Sequence, residues 1–460
     1  MRGRLTAVLL ATLASGCMLT PDYERPDLDV PPDYEQPAPS GPTAANLDWW
    51  QVFQDDALEG LIRTALDENK DLGIALARIF EAREQFTVVR ADQFPFLDLL
   101  GIGGRGRPSQ IQVPGAGTSD NYGWSAELSY EVDLWGKLRR ATEAAEADLL
   151  ATEAAFRNVT ITLVSDVASF YLLLRDLDER LSIAQRTAAS RRESLRIIQA
   201  RFDKGTVPEL DVNQAQIELA IAEVAIAAFE RQVVQTENTL AILLGRNPGP
   251  VARGLRLEEQ TFPPVVPPGL PSELLQRRPD VVVSEEILAS ETALVGVAEA
   301  LRYPSITLTG SFGSVSDELS DLNTSEAKVW NIAGGLLAPI FNSGQLEAQA
   351  EAQRARMQQA LLDYEATLQQ AFREVEDALV SMRTFRQEHA ARQRQVRAAR
   401  NASRLSRARY DAGVVDYLEV LDSERSLFQA ELDESATLRE SLDAVVRLYE
   451  ALGGGWTVAP

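Results

Sequence analysis

Hydrophobic and polar positions along this chain follow two periods, and each period appears twice. Tyr122, Trp124, Ala126, Leu128, Tyr130 and Val132 alternate with Ser125, Glu127, Ser129, Glu131 and Asp133, the two-residue period of a strand with one apolar face. Ile306, Leu308, Gly310 and Phe312 alternate in the same way with Ser305, Thr307, Thr309 and Ser311. Trp330, Ile332, Gly334 and Leu336 alternate with Asn331 and smaller residues. With a weaker strand near Phe96–Arg105, the pattern predicts four strands in two hairpins. Elsewhere the period lengthens. Leu163, Val167, Phe170, Leu174, Leu177, Leu181, Ala184 and Ala188 step by four and three, and Leu195, Ile198 and Phe202 keep the register. That is a coiled-coil seam. No proline interrupts Gly136 to Phe202, so one helix of roughly 100 Å is expected at about 1.5 Å per residue. A shorter helix, Pro208 to Leu244, runs back. Leu47–Asp92 also has helical periodicity, through Leu58, Leu61, Ile62, Ala65, Leu66, Leu72, Leu76 and Ile79.

The pattern is duplicated. RFDKGTVPELDV at Arg201–Val212 and RYDAGVVDYLEV at Arg409–Val420 lie 208 residues apart (409 − 201 = 208). The same offset pairs Val167 with Val375, Arg175 with Arg383, Leu219 with Leu427 and Gly245 with Gly453. A spacing held this long means matching helix lengths in both copies. A second helical pair is therefore expected at about Gly344–Tyr410 and Asp416–Leu452. The expected division is 1–16, 17–46, a first repeat over 47–260 and a second over 261–460. Gly205 and Gly413 end the long helices, where glycine supplies the left-handed cap of a helical hairpin. Beyond the second turn, Glu419, Asp422, Ser426, Gln429 and Asp433 form a polar stripe opposite Leu418, Leu421 and Phe428.

Composition narrows the function. Arg2 and Arg4, the apolar run Leu5–Leu13 and Ala14-Ser15-Gly16-Cys17 read as a secretory signal with its cleavage site, followed by a proline-rich stretch from Pro21 to Pro42. No run is long enough for a transmembrane helix, so a membrane could be spanned only by a closed β-barrel. Apolar-out, polar-in strands fit that reading. Four strands cannot close a barrel, and open edges in lipid are costly, so several chains must share one; two, three and four chains are all consistent with the strand count. The net charge of −23 disfavours nucleic acid. One cysteine and one histidine supply neither a disulfide framework nor a zinc site. No catalytic constellation appears and no cofactor is implied. His389 lies on the second seam at the place of Leu181, and GIGGRG at Gly101–Gly106 falls in a strand and loop rather than a nucleotide-binding turn.

Further short sequences carry a resemblance. They are Pro21-Asp22-Tyr23 with Arg25-Pro26, Trp49-Trp50 with Phe53, Arg277-Arg278-Pro279-Asp280, Tyr303-Pro304, Leu418 through Asp422, and Leu452-Gly453-Gly454-Gly455-Trp456. In this order, and with the duplication, the chain resembles the outer membrane factor family, the TolC-like channels, in its lipoprotein branch serving multidrug pumps. The resemblance implies a mixed α and β fold: a homotrimer with a twelve-stranded transmembrane β-barrel, four strands per chain, continued by a periplasmic α-helical coiled-coil barrel. It also implies a periplasmic adaptor protein and an inner-membrane transporter as partners, with the hairpin tips at Gly205 and Gly413 as the adaptor's docking site. Cys17 is expected to carry acyl chains that reach outer membrane lipid, although Ala14 stands where the family usually has leucine. By the same resemblance Glu419 and Asp422 constrict the periplasmic entrance, Asp211 is the first-copy equivalent of Glu419, and Tyr410 helps tie the closed tip. Val415 occupies the place of an arginine that some relatives use there. The implied function is a passive exit duct for drugs or other small molecules at the outer membrane. Protein secretion or metal-ion export is the alternative, although four methionines and a single histidine disfavour copper or silver. A structural or adhesin coiled coil leaves the duplicated tips unexplained.

Overall fold

The computed structural model describes residues 23–28, 30–36, 50, 53–260, 269 and 271–454. The signal, Cys17, part of the proline-rich stretch, Trp49 and Gly455-Trp456 lie outside the described residues. Helices α1 (Asp56–Glu68) and α2 (Lys70–Ala91) precede strands β1 (Phe96–Gly106) and β2 (Ser119–Val132). The long helix α3 (Lys137–Asp203) and its partner α4 (Glu209–Leu243) follow. The second copy runs through α5 (Leu274–Arg277), α6 (Pro279–Ala300), β3 (Ser305–Ser316), β4 (Lys328–Leu337), α7 (Gln345–Asp411) and α8 (Tyr417–Ala451). Helices α3 and α7 each have 67 residues, and α4 and α8 each have 35. Every one of those boundaries repeats at the sequence offset.

The helical stretch at Leu47–Asp92 is not continuous. It breaks at Asn69, whose backbone is extended. The Asn69 side chain accepts from the Leu72 amide at 2.9 Å and donates to the Leu243 carbonyl at 2.8 Å. One residue thus starts α2 and closes the end of α4, satisfying backbone groups that helix ends leave open.

The chain divides into two compact units, each drawing on both halves of the sequence. The first comprises Met1–Leu28, Arg78–Glu153 and Val283–Glu365 and holds the sheet. The strand order is β1-β2-β3-β4, antiparallel throughout. Register aligns Leu99, Ala126, Phe312 and Trp330 in one row and Asp98, Glu127, Ser311 and Asn331 in the neighbouring row on the other face. Trp124 meets Phe312 edge-on at 6.0 Å. On the apolar face Leu99, Trp330 and Ile332 are 78%, 74% and 81% exposed. Water would disfavour so contiguous an apolar surface, whereas lipid suits it. A Cβ on Gly313 would lie 2.0 Å from the Trp124 carbonyl oxygen, so only glycine lets β3 approach β2 there. The outer edges of β1 and β4 pair with no other strand among the described residues. No described helix is long and apolar enough to cross a membrane.

Just past β2, Asp133 accepts from the Leu138 and Arg139 amides, both at 3.1 Å, and so caps α3. The Trp135 indole donates to the Pro304 carbonyl at 2.7 Å and its ring lies 5.0 Å from that of Tyr303, tying the end of β2 to the start of β3.

The second unit comprises Asp29–Ala77, Ala154–Val282 and Ala366–Pro460. Its core includes Leu163, Val167, Leu174 and Leu177 of the α3 seam and Leu438, Leu442, Val445 and Tyr449 of α8. Polar pairs interleave with that core. Ser435 donates to buried Asp176 at 2.6 Å and Ser169 to buried Asp443 at 2.5 Å, both between α3 and α8. Both hairpin turns belong to this unit.

Candidate functional site: the gate at the hairpin tips

Each tip is built by a helix that stops on glycine. At the first, Gly205 has φ +73°, its amide reaches the Phe202 carbonyl, and the Thr206 amide reaches the Arg201 carbonyl at 3.0 Å. At the second, Gly413 has φ +70°, and the Val414 amide reaches the Arg409 carbonyl at 2.9 Å. This double closure is the left-handed helix end that glycine adopts without strain. A Cβ at either glycine would meet nothing within 4 Å, so backbone conformation alone demands them.

The packed side of the tips is a cluster of Ile198, Val212, Ala215, Tyr417, Val420 and Leu421, with Tyr410 against it. Leu421 and Phe428 are buried beneath the polar stripe, as its spacing implies. Leu418 is not: it is 57% exposed, and Tyr417 takes the inward place. Leu418 lies about 100° around α8 from Tyr417, outside the face formed by Tyr417, Val420 and Leu421, and its first-copy counterpart Leu210 is exposed as well.

The candidate gate carboxylates stand outside this cluster. Asp422 is exposed, and Glu419 meets Arg409 at 2.8 Å with both side chains largely in solvent. An ion pair so placed contributes little, about 0–1 kcal/mol. Asp211 is half-buried; burial, reinforced by Asp416 nearby, raises its carboxyl above the usual range. The first tip thus answers the second with a carboxylate at the same helical position, in a drier setting.

Tyr410 joins the two hairpins. Its ring lies 5.3 Å from that of Tyr417, and the Arg201 guanidinium sits 5.0 Å from its centre. The Tyr410 hydroxyl is buried and finds no hydrogen-bond partner within the described chain. Arg201 also approaches Asp411 at 3.7 Å. With Val415 uncharged, Arg201 and Arg409 are the cations that meet Tyr410 and Glu419, and the sequence pattern alone did not single them out.

A second polar layer lies deeper and was also missed. Arg191 Nη2 sits 3.0 Å from Glu218 Oε2, and both side chains are almost wholly buried. Arg425 reaches Glu218 at 2.5 Å, and Arg407 reaches Glu424 at 2.8 Å. Burial lowers the Arg191 guanidinium from its ordinary value and raises the Glu424 carboxyl from its own. The signal was present: Arg191 falls on the heptad seam between Ala188 and Leu195, a place for an apolar residue. His389, the other polar seam residue singled out, is buried and faces Glu434 at 2.9 Å. No group of three or more metal-ligating side chains occurs among the described residues.

A four-stranded sheet with an exposed apolar face, joined to duplicated helical hairpins with acidic tips, is the arrangement of a membrane duct. Matches to the outer membrane efflux protein family cover residues 61–246 and 270–454. The chain belongs to this family. It is 34% identical over 462 residues to the antibiotic efflux pump outer membrane protein ArpC of Pseudomonas putida, covering 98% of this chain and 95% of that one. It is 32% identical over 463 residues to the cation efflux system protein CusC of Escherichia coli, covering 98% and 99%. The open-state crystal structure of the Neisseria gonorrhoeae MtrE outer membrane channel superposes with a TM-score of 0.86 at 32% identity, covering 95% of this chain and 98% of that one. The protein is an efflux channel of the outer membrane, with the mixed α and β fold of these trimeric channels and four strands contributed by each chain.

Proposed function

We propose that this channel is the passive exit duct of a tripartite pump that expels drugs and other small organic molecules. Three chains close a twelve-stranded barrel, and the hairpin tips at Gly205 and Gly413 receive a periplasmic adaptor that links the duct to an inner-membrane transporter. The observation that carries this reading is full-length similarity to an antibiotic efflux component, 98% of the chain at 34% identity. Energy enters elsewhere, because a duct needs only a passage and a gate. Cys17, acylated after cleavage at Gly16, adds a lipid anchor to the barrel.

The gate is the acidic stripe of the second tip. Three-fold symmetry repeats Glu419 and Asp422 around the axis, and rings of carboxylates favour cations. Charges within about 8 Å of one another repel with little screening at physiological salt, so the rings resist close approach and set the entrance. Asp211 contributes from the first tip, and Tyr410 with Arg201 holds the two hairpins together when the entrance is shut.

The similarity to CusC supports a second reading, cation export. Deletion of the gene, with complementation, separates the two. Sensitisation to organic antibiotics without sensitisation to metal ions upholds the drug duct. Sensitisation to metal ions alone replaces it with the cation reading. Recovery of an adaptor and an inner-membrane transporter with the tagged channel tests the tripartite assembly, and purification without either refutes it.

A further inference from the structure

The deeper polar layer draws on all four helices. Arg191 and Ser194 come from α3, Glu218 from α4, Arg407 from α7, and Glu424 and Arg425 from α8. Arg191 and Glu218 are each only 2% exposed. Some of its contacts hold each hairpin to itself: Arg191 to Glu218 at 3.0 Å, and Arg407 to Glu424 at 2.8 Å. Others hold one hairpin to the other. Arg425 donates to Glu218 at 2.5 Å, Arg407 donates to Ser194 at 2.6 Å, and the Arg191 guanidinium lies 5.1 Å from the centre of the Phe428 ring.

The layer is not inherited from the duplication. At the repeat offset, Arg191, Ser194 and Glu218 correspond to Ala399, Ala402 and Ser426. Arg407, Glu424 and Arg425 correspond to Gln199, Gln216 and Ile217. Each hairpin has an ion pair of its own, and Arg425 with Glu218 and Arg407 with Ser194 link the two, so the layer is complete only when both hairpins are in place.

Between this layer and the turns the character of the contacts changes. The Ile198–Leu421 cluster is apolar and non-directional, and the hairpin-to-hairpin contacts nearest the turns are a 3.7 Å pair of Arg201 with Asp411, both solvent-exposed, and a ring contact. Apolar surfaces slide over one another, and exposed pairs part easily. In the deeper layer the hairpin-to-hairpin bonds end on almost wholly buried groups, Glu218 and Ser194, so separation leaves those groups without these partners, although Arg425 and Arg407 are themselves 47% and 32% exposed.

We propose that Arg191, Glu218, Arg407, Glu424 and Arg425 are positioning residues of the gate: they form the fixed point about which the hairpins part, confining motion of Glu419 and Asp422 to the segment on the turn side. From Arg191 to Gly205 that segment is about 20 Å of helix. The proposal rests on the reading of Glu419 and Asp422 as the gate.

The test uses the assembled channel with spin labels at two levels. One pair replaces Lys204 and Ala412 beside the turns; the other replaces Arg186 and Arg397, on the far side of the layer from the turns. Distances are compared between the parent and Glu419→Ala/Asp422→Ala, which relieves repulsion at the entrance. The fixed point requires the turn pair to shift by about 5 Å, the scale of one helical turn, while the far pair stays. Adding Glu218→Gln should make the far pair move as well, and Glu218→Asp, which keeps the charge, should restore it. Movement of the far pair with the layer intact overturns the proposal, as does a far pair that ignores Glu218→Gln in an assembled channel. A turn pair that does not respond to Glu419→Ala/Asp422→Ala refutes the gate reading itself, and the fixed point with it. If Glu218→Gln fails to assemble, the intact-layer comparison decides alone.

Discussion

The two halves of the chain have the same backbone and different chemistry. Helices of 67 and 35 residues begin and end at matched positions, Gly205 and Gly413 turn both hairpins, and Gly245 and Gly453 follow both return helices with positive φ. Several charges do not match. Arg191 answers to Ala399, Asp422 to Gln214, and Glu450 to Ile242. Lengths and turns are held because one missing residue rotates everything beyond it by about 100°, moving a seam off its partner. Side chains at matched positions are under no such constraint. The places where the halves diverge in charge are the tip, the buried ion layer and the junction near Arg278.

The sharpest way to break the correspondence is at the helix ends. Asn69 closes the last turn of α4 through Leu243, and Arg278 closes α8 through the Ala451 carbonyl at 3.1 Å. The tasks are equal but the settings differ, since buried Arg278 also holds Asp280 at 2.6 Å and Glu374 at 2.7 Å. Arg278→Ala leaves the Ala451 carbonyl and both carboxylates without this partner; with the carboxylates about a third exposed, water offsets part of the loss, which should come to about 2–3 kcal/mol. Asn69→Ala loses two neutral hydrogen bonds and should cost about 1–2 kcal/mol. Denaturant unfolding of the two variants checks the order, and equal losses would erase the distinction.

A pH difference comes next. Glu450 lines a cavity of about 420 Å³ with Arg278, Glu374, Asp377 and Arg447. Burial first, then the charges of Asp166 and Glu374, pushes its carboxyl up to about 7 from an ordinary 4.5. The folded chain therefore holds this proton more tightly than the unfolded chain does. Its contribution is fully present below the ordinary carboxylate value and is lost as pH rises from there through about 7, on the order of 2–3 kcal/mol in all. Glu450→Ile borrows the first copy's residue and should flatten that part of the stability-versus-pH curve. A slope unchanged by the substitution would contradict the assignment.

The glycine turns are where the halves should behave alike. Gly205→Ala and Gly413→Ala each force a side chain into left-handed backbone with open space around it, at about 1–2 kcal/mol. Thermal melting should place the two variants together. A wide gap between them would show that one turn has a packing role the other lacks.

Much of this was legible in the order of residues. Alternation located all four strands because a sheet with one face in lipid and one in water needs it, and the offset located the hairpins because their turns require glycine. The break at Asn69 was not legible, since its amide serves a carbonyl 174 residues away. Nor was the exposure of Leu418, because the packed face of α8 runs through Tyr417, Val420 and Leu421 and leaves Leu418 to one side. At the candidate gate, Glu419 and Asp422 were visible as a polar stripe. Arg409 and Arg201 were not, because only the folded tip brings them to Glu419 and Tyr410. Arg191 sat in view on the seam, but a charge there becomes interpretable only once Glu218 is seen beneath it.

The most direct measurement is single-channel conductance in planar bilayers, comparing the parent with Glu419→Ala/Asp422→Ala and with Asp211→Ala. If the second tip carries the gate, the double variant changes its conductance and loses cation preference, while Asp211→Ala changes both by less. Conductance and cation preference that stay at parent values in the double variant would contradict the account.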